Sequence, residues 1–191
     1  MTSENRTNPP TAVGAAQPGD VLTDAKLIDV QGISTTLEAA RAGRAAVLVL
    51  YRGAWCPHCN LALRTYQRDL VPALDRRAVA LIAISPQRPD GSLSTQEKND
   101  LTFTVLSDPG NQVATALGVL TEAGDDTKSK LRATGTDLTE LNADGTEAVP
   151  MPTVAVVDPA GVIRWIDVHS DFTTRTEVGD IIAAVTALEQ V

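Results

Sequence analysis

An α/β fold, with a central mixed β-sheet flanked by helices in three layers, is predicted by three features of this 191-residue sequence. Two continuous apolar runs of strand length, Val47 to Tyr51 and Val79 to Ile84, are separated by a segment with helical periodicity. Runs without polar alternation are strands covered on both faces, and a strand-helix-strand unit with a short return makes the pair parallel with a right-handed crossover. A later pair of runs, Thr153 to Val157 and Val162 to Val168, is joined by Asp158-Pro159-Ala160-Gly161, a hairpin signal that makes the second pair antiparallel. Finally, Val178, Ile181, Ile182, Val185 and Leu188 recur at helical spacing, so the chain closes on an amphipathic helix.

Residues 1–18 are rich in Thr, Pro, Asn, Gly and Ala without periodicity and cannot offset the entropy of ordering, so a disordered tail is expected, with one domain over 19–191. Ala25 to Val30 reads as a short strand before a turn at Gln31-Gly32, and Leu37 to Ala42 as a short helical segment. A helix starts at Pro57, its buried stripe marked by Leu63, Tyr66, Leu70 and Leu74, and Pro72 should kink or divide it. Ser94 opens a further short helix, Phe103 to Leu106 forms a brief strand, and Ser107-Asp108 caps a helix through Val113 and Leu117 that Gly118 closes. From Glu122 to Val149 the abundance of Gly, Asp and Thr predicts a surface excursion with a weak helix near Lys128 to Ala133.

Composition narrows the function classes. Hydrophobic residues make up 43% of the chain but aromatic ones only 3%, so the core rests on Val, Leu, Ile and Ala. A formal net charge of -8 repels phosphate backbones and anionic headgroups, which points away from nucleic acid and membrane surfaces as partners. No apolar run approaches the ~18 residues of a membrane span, and Met1 to Asp20 lacks the basic and apolar regions of a secretory signal, so a cytoplasmic protein is expected. In that compartment a lone structural disulfide would be reduced, and the spacing Cys56-Pro57-His58-Cys59 reads as catalytic before structural.

A thiol reacts as its thiolate, and a free one is mostly protonated at neutral pH. Pro57 favours the first helical position, which puts Cys56 at the N-cap, facing free backbone N–H groups and the positive end of the helix dipole. Cys59, three residues on, can attack an adduct on Cys56, so the pair can cycle between dithiol and disulfide. His58 is read equally as a donor near the thiolate and as a solvent-facing residue; Trp55 is an apolar flank, and Arg52 a nearby cation or a surface charge. Zinc would need more ligands than Cys56, His58 and Cys59, so neither metal nor cofactor is expected. The order β-α-β-α, then β-β-α, with a C-x-x-C between a buried strand and a helix, is the thioredoxin architecture.

The chain resembles the peroxiredoxin-like group of the alkyl hydroperoxide reductase and thiol-specific antioxidant superfamily. The resemblance is carried by Gly19-Asp20 with Thr23 to Leu27 and Asp29 to Gly32, by Tyr51 to Asn60, by Ala83 to Pro86, and by Val105 to Asn111. Met151-Pro152-Thr153, Val157-Asp158, Gly161 to Arg164 and Asp171 to Arg175 continue it. It implies reduction of hydrogen peroxide or organic hydroperoxides: Cys56 becomes a sulfenic acid, Cys59 resolves it as a disulfide, and thioredoxin or a similar dithiol recycles the pair. It also implies a cis peptide at Pro152, with Met151, Pro152 and Thr153 facing the cysteines. Where the family's P-x-x-x-T-x-x-C loop has Pro and Thr, this chain has Val49 and Gly53, and W-C-P-H-C is also similar to bacterial disulfide oxidases. Exchange with protein disulfides is therefore the alternative activity, and a redox-switched binding module a third. Monomer and homodimer both remain open.

Overall fold

In the computed structural model, which describes residues 14–188, the first half of the chain builds the sheet's centre. It runs through β1 (Lys26–Asp29), β2 (Ser34–Thr36), α1 (Leu37–Arg41), β3 (Ala46–Leu50), α2 (Pro57–Thr65), a π-helical turn (Tyr66–Leu70), α3 (Val71–Asp75) and β4 (Ala80–Ser85). Then come α4 (Pro89–Lys98), β5 (Thr104–Ser107), α5 (Gln112–Ala116), β6 (Leu120–Glu122), α6 (Asp125–Ala133), α7 (Leu138–Leu141) and β7 (Ala148–Pro150). The chain finishes with β8 (Thr153–Val157), β9 (Ile163–Val168) and α8 (Val178–Leu188).

Seven strands form one sheet in the order β2-β1-β5-β4-β3-β8-β9, and β6 pairs with β7 apart from it. The predicted mixture is present: β3 and β4 are parallel, as are β4 and β5, whereas β3 with β8 and β8 with β9 are antiparallel. Every residue of β3 is buried, as its unbroken apolar run requires. Alternate side chains serve opposite faces. Val47 and Val49 pack with Leu63, Tyr66, Leu70, Leu74, Ile181 and Val185 from the α2, α3 and α8 side. Leu48 and Leu50 pack with Leu37, Val113 and Leu117 from α1 and α5. Leu48, fully buried, contributes about 1.5–3 kcal/mol relative to an exposed position.

Pro72 divides the long helix as expected. It has no N–H to donate, and directly before it the ladder slips to a π-turn in which the Val71 N–H reaches the Tyr66 carbonyl. Helix α4 begins at Pro89, five residues before the predicted Ser94, because proline is well suited to a first turn. The polar Ser-Thr-Thr of β2 has no apolar pattern and was invisible to periodicity. At α5 the side-chain oxygens of Asp108 accept from the Gln112 and Val113 N–H groups (2.9 and 2.8 Å), while the N-cap residue is Asn111, in the left-handed region. Gly118 closes this turn with φ +67°, and a Cβ there would lie 2.2 Å from the Gly14 carbonyl oxygen.

That approach exists because residues 14–18 of the expected tail pack on the fold. Ala15 enters the core and the Ala16 N–H donates to the Leu117 carbonyl. The rest of the tail, residues 1–13, lies outside the described residues. The excursion carries α6 and α7 and is clasped at its base by β6 and β7. No helix among the described residues is long and apolar enough to cross a membrane.

One expectation is corrected. Among the described residues there are no cis peptide bonds, so Pro152 is trans. The trans form is favoured by about 0.5–1 kcal/mol for any X-Pro bond. Here the extended path is held on both sides: the Met151 N–H donates to the Val119 carbonyl (2.8 Å) and the Pro152 carbonyl accepts from the His169 N–H (2.9 Å).

Candidate active site

Strand β3 delivers the chain to a tight passage, Tyr51 to Cys56, before α2 begins. Gly53 sits at φ +145°, and a Cβ there would lie 2.6 Å from Trp55 Nε1, which explains why the threonine of the related loop has no place here. Gln87, buried at the end of β4, fixes the passage. Its Oε1 accepts from the Ala54 N–H (2.9 Å), and its Nε2 donates to the Tyr51 hydroxyl and to Thr95 Oγ1 (both 3.0 Å). Asn60 Nδ2 donates back to the Ala54 carbonyl (2.8 Å). Pro57 then occupies the start of α2 and Cys56 its N-cap, as the sequence predicts.

Both cysteines are free thiols and only 1% exposed. The Cys56 sulfur makes no capping hydrogen bond of ordinary geometry, so the helix acts on it through its field. Its pKa falls from an ordinary 9.0 to about 6, chiefly because the Cys59 thiol hydrogen-bonds it. Burial opposes the fall, and the nearby Cys59 N–H and the charges of Arg52 and Arg175 assist it. Cys59 goes the other way. Burial pushes its pKa well up, and its role as donor to Cys56 adds to the rise. One sulfur is thus an anion at neutral pH, and its partner stays protonated beside it.

Arg175 joins them from the far end of the sequence. Its Nη2 donates to Cys59 Sγ at 3.1 Å and to Cys56 Sγ at 3.7 Å, while Nη1 donates to the Phe172 carbonyl (2.7 Å) and the Thr174 carbonyl (2.5 Å). The two residues flanking it are anchored. Thr174 Oγ1 lies 2.7 Å from His169 Nδ1, and Thr176 Oγ1 donates to Asp167 Oδ2 (2.8 Å), which His169 Nε2 also contacts (2.9 Å). Burial would raise the Asp167 carboxyl, but its hydrogen bonds from His169 and Thr176 hold it below its ordinary value. Tyr66 adds a third anchor through its hydroxyl, which donates to the Thr176 carbonyl (2.7 Å).

The other predicted residues divide. Pro152 and Thr153 are buried and line a small cavity behind Cys59 together with Tyr66, His169 and Arg175. Met151 lines a separate cavity with Arg52 and Phe172. Arg52 is 6% exposed, its guanidinium carbon 4.7 Å from the Trp55 ring centroid and 4.9 Å from that of Phe172, so it is no surface charge. His58 is exposed, and its charge helps hold Asp171 low, after the bonds from Thr173; the leading causes of the Cys56 shift lie elsewhere, in Cys59, Arg52 and Arg175. Sequence reasoning assigned no role to Arg175, Gln87 or the Asp167-His169 pair. Arg175 lies within a stretch matched by resemblance, but no local spacing connects it to cysteines 116 and 119 residues away.

Comparison with known proteins gives the family and the fold. Residues 18–166, well over half of the chain, match the family model described as the AhpC/TSA family. A protein of Mycobacterium tuberculosis H37Rv curated under the name of a peroxiredoxin is 30% identical over 105 residues, which are 55% of this chain and 66% of that protein. The Haemophilus influenzae protein bcp, also named as a peroxiredoxin, is 35% identical over 77 residues, 40% of this chain and 49% of its own length. The chain therefore matches only part of the length of either relative. In fold, it is similar to peroxidoxin BcpB of M. tuberculosis (TM-score 0.67, 19% identity, covering 90% of this chain and 97% of that one). A peroxiredoxin-like protein from Aquifex aeolicus gives a TM-score of 0.70 at 14% identity, covering 91% and 88%. With a redox-type cysteine pair at a helix N-terminus and a family match running from the first packed residues into β9, the chain belongs to the AhpC/TSA family.

Proposed function

We propose that the chain is a thiol-dependent peroxidase that reduces hydrogen peroxide or organic hydroperoxides. The observation that carries this reading is the Cys56 sulfur, ionised near pH 6 and bridged to Cys59 by the Arg175 guanidinium. The Cys56 thiolate attacks the distal peroxide oxygen; the O–O bond breaks, Cys56 becomes the sulfenic acid and the substrate leaves as the alcohol, or as water, after taking a proton. Arg175 donates to the oxygen on which negative charge develops. Cys59 then attacks the sulfenic sulfur, releasing water and forming the Cys56–Cys59 disulfide, which a thioredoxin-type dithiol in the cytoplasm reduces. In support, a solved Xanthomonas campestris neighbour, bacterioferritin comigratory protein, carries alkyl peroxide reduction in its title and shares the fold at a TM-score of 0.64 and 17% identity.

Exchange with protein disulfides is disfavoured by one feature. A substrate peptide would pair with the backbone at Met151, but the Met151 N–H already donates to Val119 and its carbonyl accepts from Thr153 Oγ1 (2.9 Å). Purified protein given hydroperoxide and a thioredoxin system should consume NADPH only when both Cys56 and peroxide are present. Cys56→Ser should abolish consumption, and Cys59→Ser should allow a single turnover but no cycling. Insulin-disulfide reduction without peroxide turnover would overturn the reading.

A further inference from the structure

Beside the sulfurs stands a cation without a protein acceptor, Arg52. Its side chain is 6% exposed, yet it makes no hydrogen bond to a protein acceptor and no ion pair among the described residues. A guanidinium has five N–H donors, and the Trp55 and Phe172 rings it packs against can attract its charge but cannot accept its in-plane N–H groups. None of its nitrogens is among the fully buried atoms left without a partner, so they keep contact with solvent and can meet an acceptor there. The Cys56 thiolate feels this charge, but that anion is shared with Arg175 and disappears once Cys56 is oxidised.

Arg52 lines a cavity of about 340 Å³. Across it stands the start of α6, where Gly124 is the N-cap and supplies no side-chain acceptor; its first-turn N–H groups are free of a cap, while Asp125 and Asp126 in the same turn oppose an anion and leave Arg52 as the group that attracts one. Thr127 and Ser170 bring hydroxyls, while Met151 and Phe172 give an apolar wall. The one acidic lining residue, Glu122, is engaged by Lys128 (3.5 Å). A single planar fork, with no second basic side chain in the lining, suits a carboxylate better than a doubly charged phosphate.

We propose that this cavity is a recognition site for a small organic carboxylate, the Arg52 fork holding the carboxylate and the apolar wall its carbon chain. The carboxylate belongs either to the hydroperoxide or to a low-molecular-weight thiol that reduces the disulfide. The kinetic consequence rests on the peroxidase reading, but the binding itself does not.

Binding is tested first, on protein carrying Cys56→Ser, Cys59→Ser and Trp165→Phe, so that Trp55 is the only tryptophan and can be excited selectively. Hexanoate should change its emission saturably, hexanamide should not, and Arg52→Met should abolish the response. Arg52→Lys, which keeps the charge but not the fork, should weaken it and guards against a Met variant that fails to fold. Absence of a hexanoate response in the parent overturns the site.

Kinetics then identify the source. A hydroperoxide bearing a carboxylate should exceed its methyl ester in kcat/KM by roughly tenfold or more, the scale of one charge-assisted hydrogen bond. Arg52→Met should bring the ratio to unity; any loss of thiolate is common to both substrates and cancels. If the hydroperoxides show no preference but mercaptopropionate outpaces mercaptopropionamide in reducing the disulfide, the site stands and the thiol is its ligand. No preference in either half-reaction overturns the assignment. Saturable hexanoate binding with no turnover of any hydroperoxide would sink the peroxidase reading and leave the site intact.

Discussion

Two helix starts in this molecule hold an acid at nearly the same pKa, reached from opposite directions. At the start of α2 the Cys56 thiol is drawn down from 9.0 to about 6; before α5 the Asp108 carboxyl is pushed up from 3.8 to about 6. Both side chains are almost fully buried. Asp108 accepts two backbone hydrogen bonds, but burial outweighs them, and the Asp144 charge pushes the same way. Cys56 suffers burial as well, yet a donating thiol and two guanidinium groups more than offset it. A helix N-terminus therefore does not make an anion reactive. What separates a working site from a structural cap is the set of donors and cations brought in from elsewhere in the chain.

Removing those groups should break the contrast, and the largest effect is expected at Arg175. Arg175→Met takes away a cation from the thiolate and the proposed donor to the departing oxygen, so the second-order rate with peroxide at pH 7 should fall on the order of 100-fold. Stopped-flow measurement checks it, and a rate within threefold of the parent would refute the role. Cys59→Ala removes the leading cause of the low pKa, so the Cys56 titration, followed by thiolate absorbance, should move up by more than in Arg175→Met. Each unit of rise above neutrality lowers the pH 7 thiolate fraction about tenfold. Cys59→Ser, which keeps an O–H donor, should restore most of the shift.

At the other helix start a change should be felt in stability alone. Asp108→Ala deletes two capping acceptors and should cost about 1–2 kcal/mol. For a chain of this length that corresponds to a fall of roughly 2–8 °C in Tm, with the Cys56 titration unchanged. A shift in the thiol titration would show that the two helix starts are coupled after all.

How much of this could be read in advance follows from the range of the signals. The central strands, the Pro57 helix start and the C-x-x-C pair are local patterns, and each lies where the sequence puts it. The β6–β7 clasp and β2 are three-residue strands with too little length for periodicity. Arg175 is set by tertiary anchoring through Asp167, His169 and Tyr66, which no window of sequence contains. The cis peptide at Pro152 was carried over from resemblance, and the local hydrogen bonds of Met151 and Pro152 favour trans. Arg52 was legible as a cation, but its burial between two rings depended on Phe172, 120 residues on in sequence.

The subtlest test uses both acids at once. Asp108 has a folded-state pKa above its unfolded one, so between about pH 4 and 6 this group binds more protons in the native protein than in the unfolded chain, and its contribution to stability falls as pH rises through that window. Cys56 has a folded-state pKa below its unfolded one; from about pH 6 to 9 the native protein binds fewer protons, and stability rises with pH. In reduced protein the two contributions have opposite slopes that meet near pH 6. Denaturant unfolding across pH 4 to 9 should therefore show that Asp108→Asn flattens only the acid limb, and Cys56→Ser only the alkaline one. If Cys56→Ser left the alkaline limb unchanged, the sulfur would not be ionised in the native state near neutrality, and the contrast between the two helix starts would disappear.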